Sequence, residues 1–447
     1  MLIFLNLIIG LLIIRIQKCK QVQFPLYPST NLTFTDYSTS SSTFFSTTKN
    51  TLPLLKLCLG TPPQCLFMAP DTASSITFLQ SSLVKNKSFN QTFDISKSST
   101  FENTQDVLSF YYIFRFLPHS IVKDVLSIND IHNILYSTDN ENKLPFCLLT
   151  EMENLPAIEI GGYVGLSKNK RANDEIFQKY SFSIIDHFNL PIFSLTYRID
   201  GAGVVNGGLF TIKSSDSSSN KCNSTDSEDP TSARGWHCDV QTIKYGDLVM
   251  NFSSVVYFHS VNPVIMIPIS IGEQIFESMK NKSGDQCKLL KERNKKVFVC
   301  ESDYDLNTFD NIVLYFSEEN TLELHTKYMF ERIKQMVNNK TMNLLKIMVS
   351  PLDDSAFILG MPAFINNEIS FNTENSEILF HKDVLSSIPI PSMPTIIPQE
   401  LTKTSDLISF VIIAFVFLIC VSGTIILFIS LSKLNNVFSF DLNIKNI

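Results

Sequence analysis

A mainly β fold is predicted for this 447-residue chain by three observations. Apolar runs of strand length recur along it, Gly, Pro, Asn, Asp and Ser separate them, and stretches with helical spacing are few. Apolar residues make up 44% of the chain and charged residues 18%, so a large core is available and disorder is excluded. Thirty-six Lys and Arg against 43 Asp and Glu leave a net charge of −7 with no basic run, which excludes a nucleic-acid partner.

The first element is the apolar block LIFLNLIIGLLII, residues 2 to 14, which has the length of a signal-peptide core and is short for a membrane span. It predicts a signal peptide over residues 1–21. The alternative is an uncleaved anchor, because there is no basic stretch before the block and no small-residue cleavage site after it. Residues 22–49 follow as a Ser/Thr-rich segment, open to O-glycosylation or to holding a short propeptide.

An N-terminal β lobe is expected over residues 50–190, from LPLLKLCL, CLFMAP, ITFL and VLSFYYIFRF. A C-terminal β lobe is expected over 191–383, from PIFSLTYRI, GGLFTI, VVYFHSV, PVIMIPIS, VFVC, NIVLYF, AFILG, EISF and EILFH. KYMFERIKQMVN, 327 to 338, has helical spacing, and 172 to 180 forms a second helical candidate. The polar stretch 214 to 235 reads as a long surface loop. Residues 384–406 carry Pro389, Pro391, Pro394 and Pro398 and read as a semi-extended stalk.

Residues 407–432 are uncharged and long enough for one tilted transmembrane helix, leaving 433–447 as a cytosolic tail flanked by Lys433. The resulting expectation is a single-pass type I membrane protein of the secretory pathway or cell surface, its ectodomain lumenal or extracellular. Sequons at Asn31, Asn86, Asn90, Asn223, Asn251, Asn281 and Asn339 all fall in that ectodomain. Setting aside Cys19 and Cys420, seven cysteines face an oxidising compartment. Local pairing joins Cys58 to Cys65, Cys222 to Cys238 and Cys287 to Cys300, leaving Cys147 free or bridging two molecules. No CxxC or His-rich spacing is present, and no metal or cofactor is expected.

The chemistry is concentrated in LKLCLGTPPQCLFMAPDTASSITFL, residues 55 to 79. It reads as a strand, a tight turn, a second strand and then Asp71 among Thr72, Ser74 and Ser75, hydroxyl residues suited to holding a carboxylate ionised and oriented. This segment resembles the pepsin-like aspartic proteases: Gly60 to Gln64 matches their GTPPQ turn, and Asp71 to Ser75 their Asp-Thr-Gly-Ser-Ser signature with Ala73 in place of Gly. FDISKSSTF at 93 to 101, Tyr112 as the flap tyrosine, Asp124 twelve residues later, GGYVGLS at 161 to 167, PIFSLTYRI with GGLF, and FILG followed by MPAFINNEISFNTENSEILFHK continue the likeness in order over residues 50 to 382. The resemblance implies a bilobal fold with a central cleft for a peptide or protein ligand, a catalytic Asp71 supported by Thr72 and Ser74, and the Cys287 to Cys300 bridge of the second lobe.

The family needs a second Asp from the other lobe, after the landmark GWHCDVQTIKYGD at 235 to 247. Anchoring its Asp-Thr-Gly-Thr-Ser pattern on Ser270 puts Met266 in place of the second Asp, Ile267 in place of the Thr that braces the pair, and Pro268 in place of a Gly; residues 261 to 272 hold no acid. Asp239, Asp247, Glu273 and Asp285 read as solvated surface carboxylates rather than substitutes. The flap tip becomes Ile113-Phe114-Arg115, without the family's glycines. The expected function is a membrane-anchored aspartic endopeptidase homologue, catalytically impaired and binding peptide or protein in its cleft. An active endopeptidase and a glycosylated shell without cleft function are the alternatives.

Overall fold

The structure is a computed structural model, and its described residues are 21–29, 51–83, 91–112, 115–128, 143–149, 160–168, 175–224, 235–292, 295–334, 341–350 and 357–382. The expected signal core, stalk, membrane span and tail lie outside them, as do the flap tip Ile113 and Phe114 and the sequons at Asn31, Asn86, Asn90 and Asn339. Among the described residues no helix is long and apolar enough to cross a membrane. The described elements belong to one compact unit, Met1–Ser392.

Its first half holds β1 (Gln21–Pro28), β2 (Pro53–Leu59), β3 (Gln64–Asp71), β4 (Phe78–Gln80), β5 (Glu102–Tyr112), β6 (Arg115–Asp124), β7 (Leu126–Ile128), β8 (Leu144–Leu149) and β9 (Gly162–Gly165). Helices α1 (Glu175–Lys179) and α2 (Ile184–His187) lead to β10 (Ile192–Ile199), β11 (Val205–Lys213) and β12 (Lys221–Asn223). The second half has β13 (His237–Tyr245), β14 (Leu248–Phe258), β15 (Ile265–Pro268), α3 (Ile269–Ser283), β16 (Cys287–Glu292), β17 (Lys295–Glu301), β18 (Ile312–Tyr315) and β19 (Thr321–Leu324). It closes with β20 (Phe330–Lys334), β21 (Thr341–Leu345), β22 (Ile347–Ser350), β23 (Phe357–Leu359), β24 (Asn367–Asn372) and β25 (Glu377–Lys382).

One pairing pattern occurs twice. In the first half β3 runs parallel to β9, β9 antiparallel to β4, and β4 parallel to β8. In the second half β14 runs parallel to β23, β23 antiparallel to β15, and β15 parallel to β22. A continuous sheet in the order β12-β25-β24-β10-β11-β1-β2-β3 connects strands late in the chain to those of the first half. Along IFSLTYRI, Phe193, Leu195 and Tyr197 line one face of β10 and Ser194 and Thr196 the other, and both faces are buried. Phe193 stacks on Phe371 of β24 at 4.8 Å and meets Trp236 edge-on at 6.0 Å. Truncating such a ring to Ala costs about 3–5 kcal/mol.

Three local expectations change. Of the helix expected at 327 to 338, residues 335 to 338 lie outside the described residues, and the rest is a single 3-10 turn, Thr326–Met329, followed by β20. Its Lys, Met, Glu and Arg residues favour helix, but pairing with β21 and the interior ion pair of Glu331 with Lys346, 2.6 Å apart, override that preference. The run PVIMIPIS is a strand only to Pro268, after which Ile271, Ile275, Phe276 and Met279 form the buried stripe of α3. The segments expected to lack regular structure contain β1, which pairs with β11 and β2, and β12, which pairs with β25.

All three locally paired disulfides form: Cys58–Cys65 across β2 and β3, Cys222–Cys238 between β12 and β13, and Cys287–Cys300 across β16 and β17. Cys147 is free and fully buried, and burial pushes its thiol far up, so it is not placed to bridge a second molecule.

Candidate active site

The apolar run of β3 buries Leu66 to Ala69 between β2 and β9 and delivers Asp71 at its end, opposite Gly165. There the chain turns. The Asp71 carboxylate accepts the Ala73 amide at 2.9 Å, while Ser74 Oγ accepts the Ile76 amide at 3.0 Å. Gly235 lies against this turn so closely that a Cβ would collide with Thr72 O and Ala73 Cα. Trp236 Nε1 donates to Leu166 O at 2.9 Å, so the GW landmark clamps the loop that carries Asp71.

On the other side β14 ends at Phe258, and the next two residues are His259 and Ser260. Four hydrogen bonds tie this end to the Asp71 turn in a reciprocal pattern. Thr72 N donates to Ser260 Oγ at 2.9 Å and Ser260 N donates to Thr72 Oγ1 at 3.0 Å. Thr72 Oγ1 donates to Phe258 O at 2.8 Å and Ser260 Oγ donates to Pro70 O at 2.6 Å. Thr72 therefore corresponds to Ser260 and Pro70 to Phe258, and the residues between them, Asp71 and His259, correspond to each other.

Strand register gives the same equivalence. Phe78 lies opposite Tyr163 on β9, and Met266 lies opposite Ile358 on β23. Phe78 comes seven residues after Asp71, and Met266 comes seven after His259. Ser74 and Asn262 also match, each three residues on, because Asn262 Oδ1 accepts the Val264 amide at 3.2 Å as Ser74 accepts that of Ile76.

The expected position of the second half-site is thereby corrected. Met266 sits in β15, separated from β14 by β23 and hence about 10 Å from it across the sheet. The residue beside Asp71 is His259, with Nε2 3.6 Å from Asp71 Oδ1. The brace attributed to the position of Ile267 is carried by Ser260, and Val261 rather than Pro268 follows it. Thr72 is the supporting residue expected, but its hydroxyl bonds across to Phe258 O, and Ser74 caps its own turn. Asp71 is held by backbone amides rather than by these hydroxyls. Tyr112 ends β5 opposite Arg115 on the hairpin with β6.

His259 escapes any reading of the sequence that demands an acid; the repeated seven-residue spacing becomes visible only once the strand registers are matched. Asp239, Asp247 and Asp285 are exposed, and the exposed Glu273 pairs with Lys296. The sequon residues Asn223, Asn251 and Asn281 are exposed. Among the described residues no cluster of three or more His, Cys, Asp or Glu forms a metal centre.

Electrostatics at the pair are set by burial. The Asp71 side chain is 13% exposed and that of His259 31%. Burial pushes the Asp71 carboxyl above the ordinary aspartate value, while His259 and the amides of Ala73 and Ser74 draw it part of the way back. The site thus places one carboxyl and one imidazole on two turns that brace each other.

No curated protein matches the chain. The family model described as eukaryotic aspartyl protease matches residues 54–382, a span that begins in β2 and ends with β25 and so includes both turns. The chain belongs to the eukaryotic aspartyl protease family.

Proposed function

We propose that the protein is a peptide hydrolase of this family in which Asp71 and His259 replace the usual pair of carboxylates, acting on an extended peptide bound in a cleft between the two halves. The observation that supports it is the intact brace between Thr72 and Ser260 with a titratable side chain 3.6 Å from Asp71. In this mechanism ionised Asp71 takes a proton from water, whose oxygen attacks the scissile carbonyl carbon as protonated His259 gives its proton to the carbonyl oxygen. Collapse of the tetrahedral adduct breaks the C–N bond. The leaving amine takes the proton from Asp71, the hydroxyl returns one to His259, and the pair is restored.

The rate of hydrolysis by the full-length chain between pH 3 and 8 tests this directly. Asp71→Asn and His259→Ala are each expected to lower it about 10²-fold or more, the usual worth of a positioned acid or base. Turnover that survives Asp71→Asn overturns the reading.

A second reading, peptide binding without turnover, is favoured by the 3.6 Å separation, which exceeds a hydrogen bond. It predicts peptide binding that His259→Ala leaves intact and no hydrolysis at any pH.

The topology proposed with either reading is a signal-led, single-pass type I membrane glycoprotein with a lumenal or extracellular ectodomain. It rests on the uncharged segment 407–432 and on the exposure of Asn223, Asn251 and Asn281.

A further inference from the structure

The pair has a neighbour that the proposed chemistry does not use. Tyr197, near the end of β10, is fully buried, with its ring 5.3 Å from that of Phe364. Its hydroxyl donates to the carbonyl oxygen of Ser260 at 3.1 Å. Ser260 follows His259 directly, and its amide and hydroxyl already take part in the brace. With Tyr197 added, each polar group of Ser260 is engaged. The matching carbonyl of the first half, Thr72 O, is instead closed over by Gly235. Burial pushes the Tyr197 phenol far up; its bond to Ser260 opposes the rise and the charge of Asp71 adds to it. Burial therefore favours the neutral hydroxyl, the form that donates to Ser260.

We infer that Tyr197 is the positioning residue for the His259 side of the pair: its hydroxyl anchors the carbonyl of Ser260, and so the turn from which His259 faces Asp71. Tyr197 acts through the backbone, since its hydroxyl bonds to the Ser260 carbonyl. Without its hydroxyl the Ser260 carbonyl loses a buried donor, the turn is freed to shift, and His259 shifts with it relative to Asp71. This inference rests on the Asp71 and His259 pair proposed above, and its test separates the two.

The full-length chain, ¹³C-labelled in histidine, is followed by NMR against pH, with the His259 ring resonance assigned by its loss in His259→Gln. In the unaltered chain Asp71→Asn is expected to displace that resonance, because it removes the carboxylate 3.6 Å from the ring. In the Tyr197→Phe background the displacement is expected to shrink at least about twofold, a coupling of the kind a double-mutant cycle isolates. Phe364→Leu, which disturbs packing beside the same ring and keeps the hydroxyl bond, leaves it unchanged. An equal displacement with and without the hydroxyl overturns the positioning role while leaving the pair intact. No displacement on Asp71→Asn in the unaltered chain overturns the pair and this inference with it.

Discussion

Replacing one member of a carboxylate pair by an imidazole changes which protons a site can hold. Two carboxylates at close range cannot both ionise, so such a site keeps one proton and a single negative charge at acid pH. Among the described residues Asp71 faces His259 rather than a second carboxylate, and the rise of its carboxyl comes from burial. The consequence for stability follows from linkage. Because the folded state holds the Asp71 proton more tightly than the unfolded chain, the neutral carboxyl's stabilising contribution is complete below the unfolded value of about 3.8 and is lost as pH rises through the folded value. At pH 7 the buried charge therefore costs stability, about 1.4 kcal/mol for each unit of the rise. Asp71→Asn is expected to raise the melting temperature at pH 7, with the gain closing towards pH 4; thermal unfolding at both pH values checks this. A variant less stable than the unaltered chain at pH 7 would show that the contact with His259 outweighs burial.

At the level of elements, most strands are legible in the sequence because their runs alternate or end in turn residues, as in β2, β3, β10 and β24. Legibility fails where local preference stands against tertiary context. The segment from Lys327 spells a helix, yet Glu331 lies inside the protein opposite Leu344 with Lys346 as its ion partner, an arrangement no periodicity reveals. Glu331→Ala leaves the buried Lys346 without this partner and is expected to cost about 3–5 kcal/mol in chemical denaturation. A cost under 1 kcal/mol would mean that the pair is not what holds β20 in the sheet. Similarly, Met266 falls in the place of the second half-site only when the family pattern is anchored on Ser270, whereas β15 is the counterpart of β4 and the site lies one apolar run earlier, at the end of VVYFHSV.

The whole molecule repeats one strand pattern around a shared brace, and that repetition is the strongest reason to read His259 as the counterpart of Asp71. It is hidden in the sequence because the two turns share little chemistry: Asp-Thr-Ala-Ser on one side and His-Ser-Val-Asn on the other. Only the four reciprocal hydrogen bonds and the matched registers bring them into correspondence. The Cys222–Cys238 disulfide ties β12, on the sheet that reaches into the first half, to β13 of the second. Replacing both cysteines by Ala is expected to lower stability by about 2–4 kcal/mol. A denaturation midpoint unchanged by this double substitution would show that the hydrogen-bonded sheets alone hold the two parts together.

If His259 occupies the place of a second catalytic aspartate, restoring the acid is the most direct trial of the account. Hydrolysis of a peptide substrate by His259→Asp, measured from pH 3 to 8 beside the unaltered chain, is expected to show a new acid optimum, with turnover near pH 4 raised about 10²-fold and abolished again by adding Asp71→Asn. A folded His259→Asp protein whose pH profile matches that of the unaltered chain would contradict it.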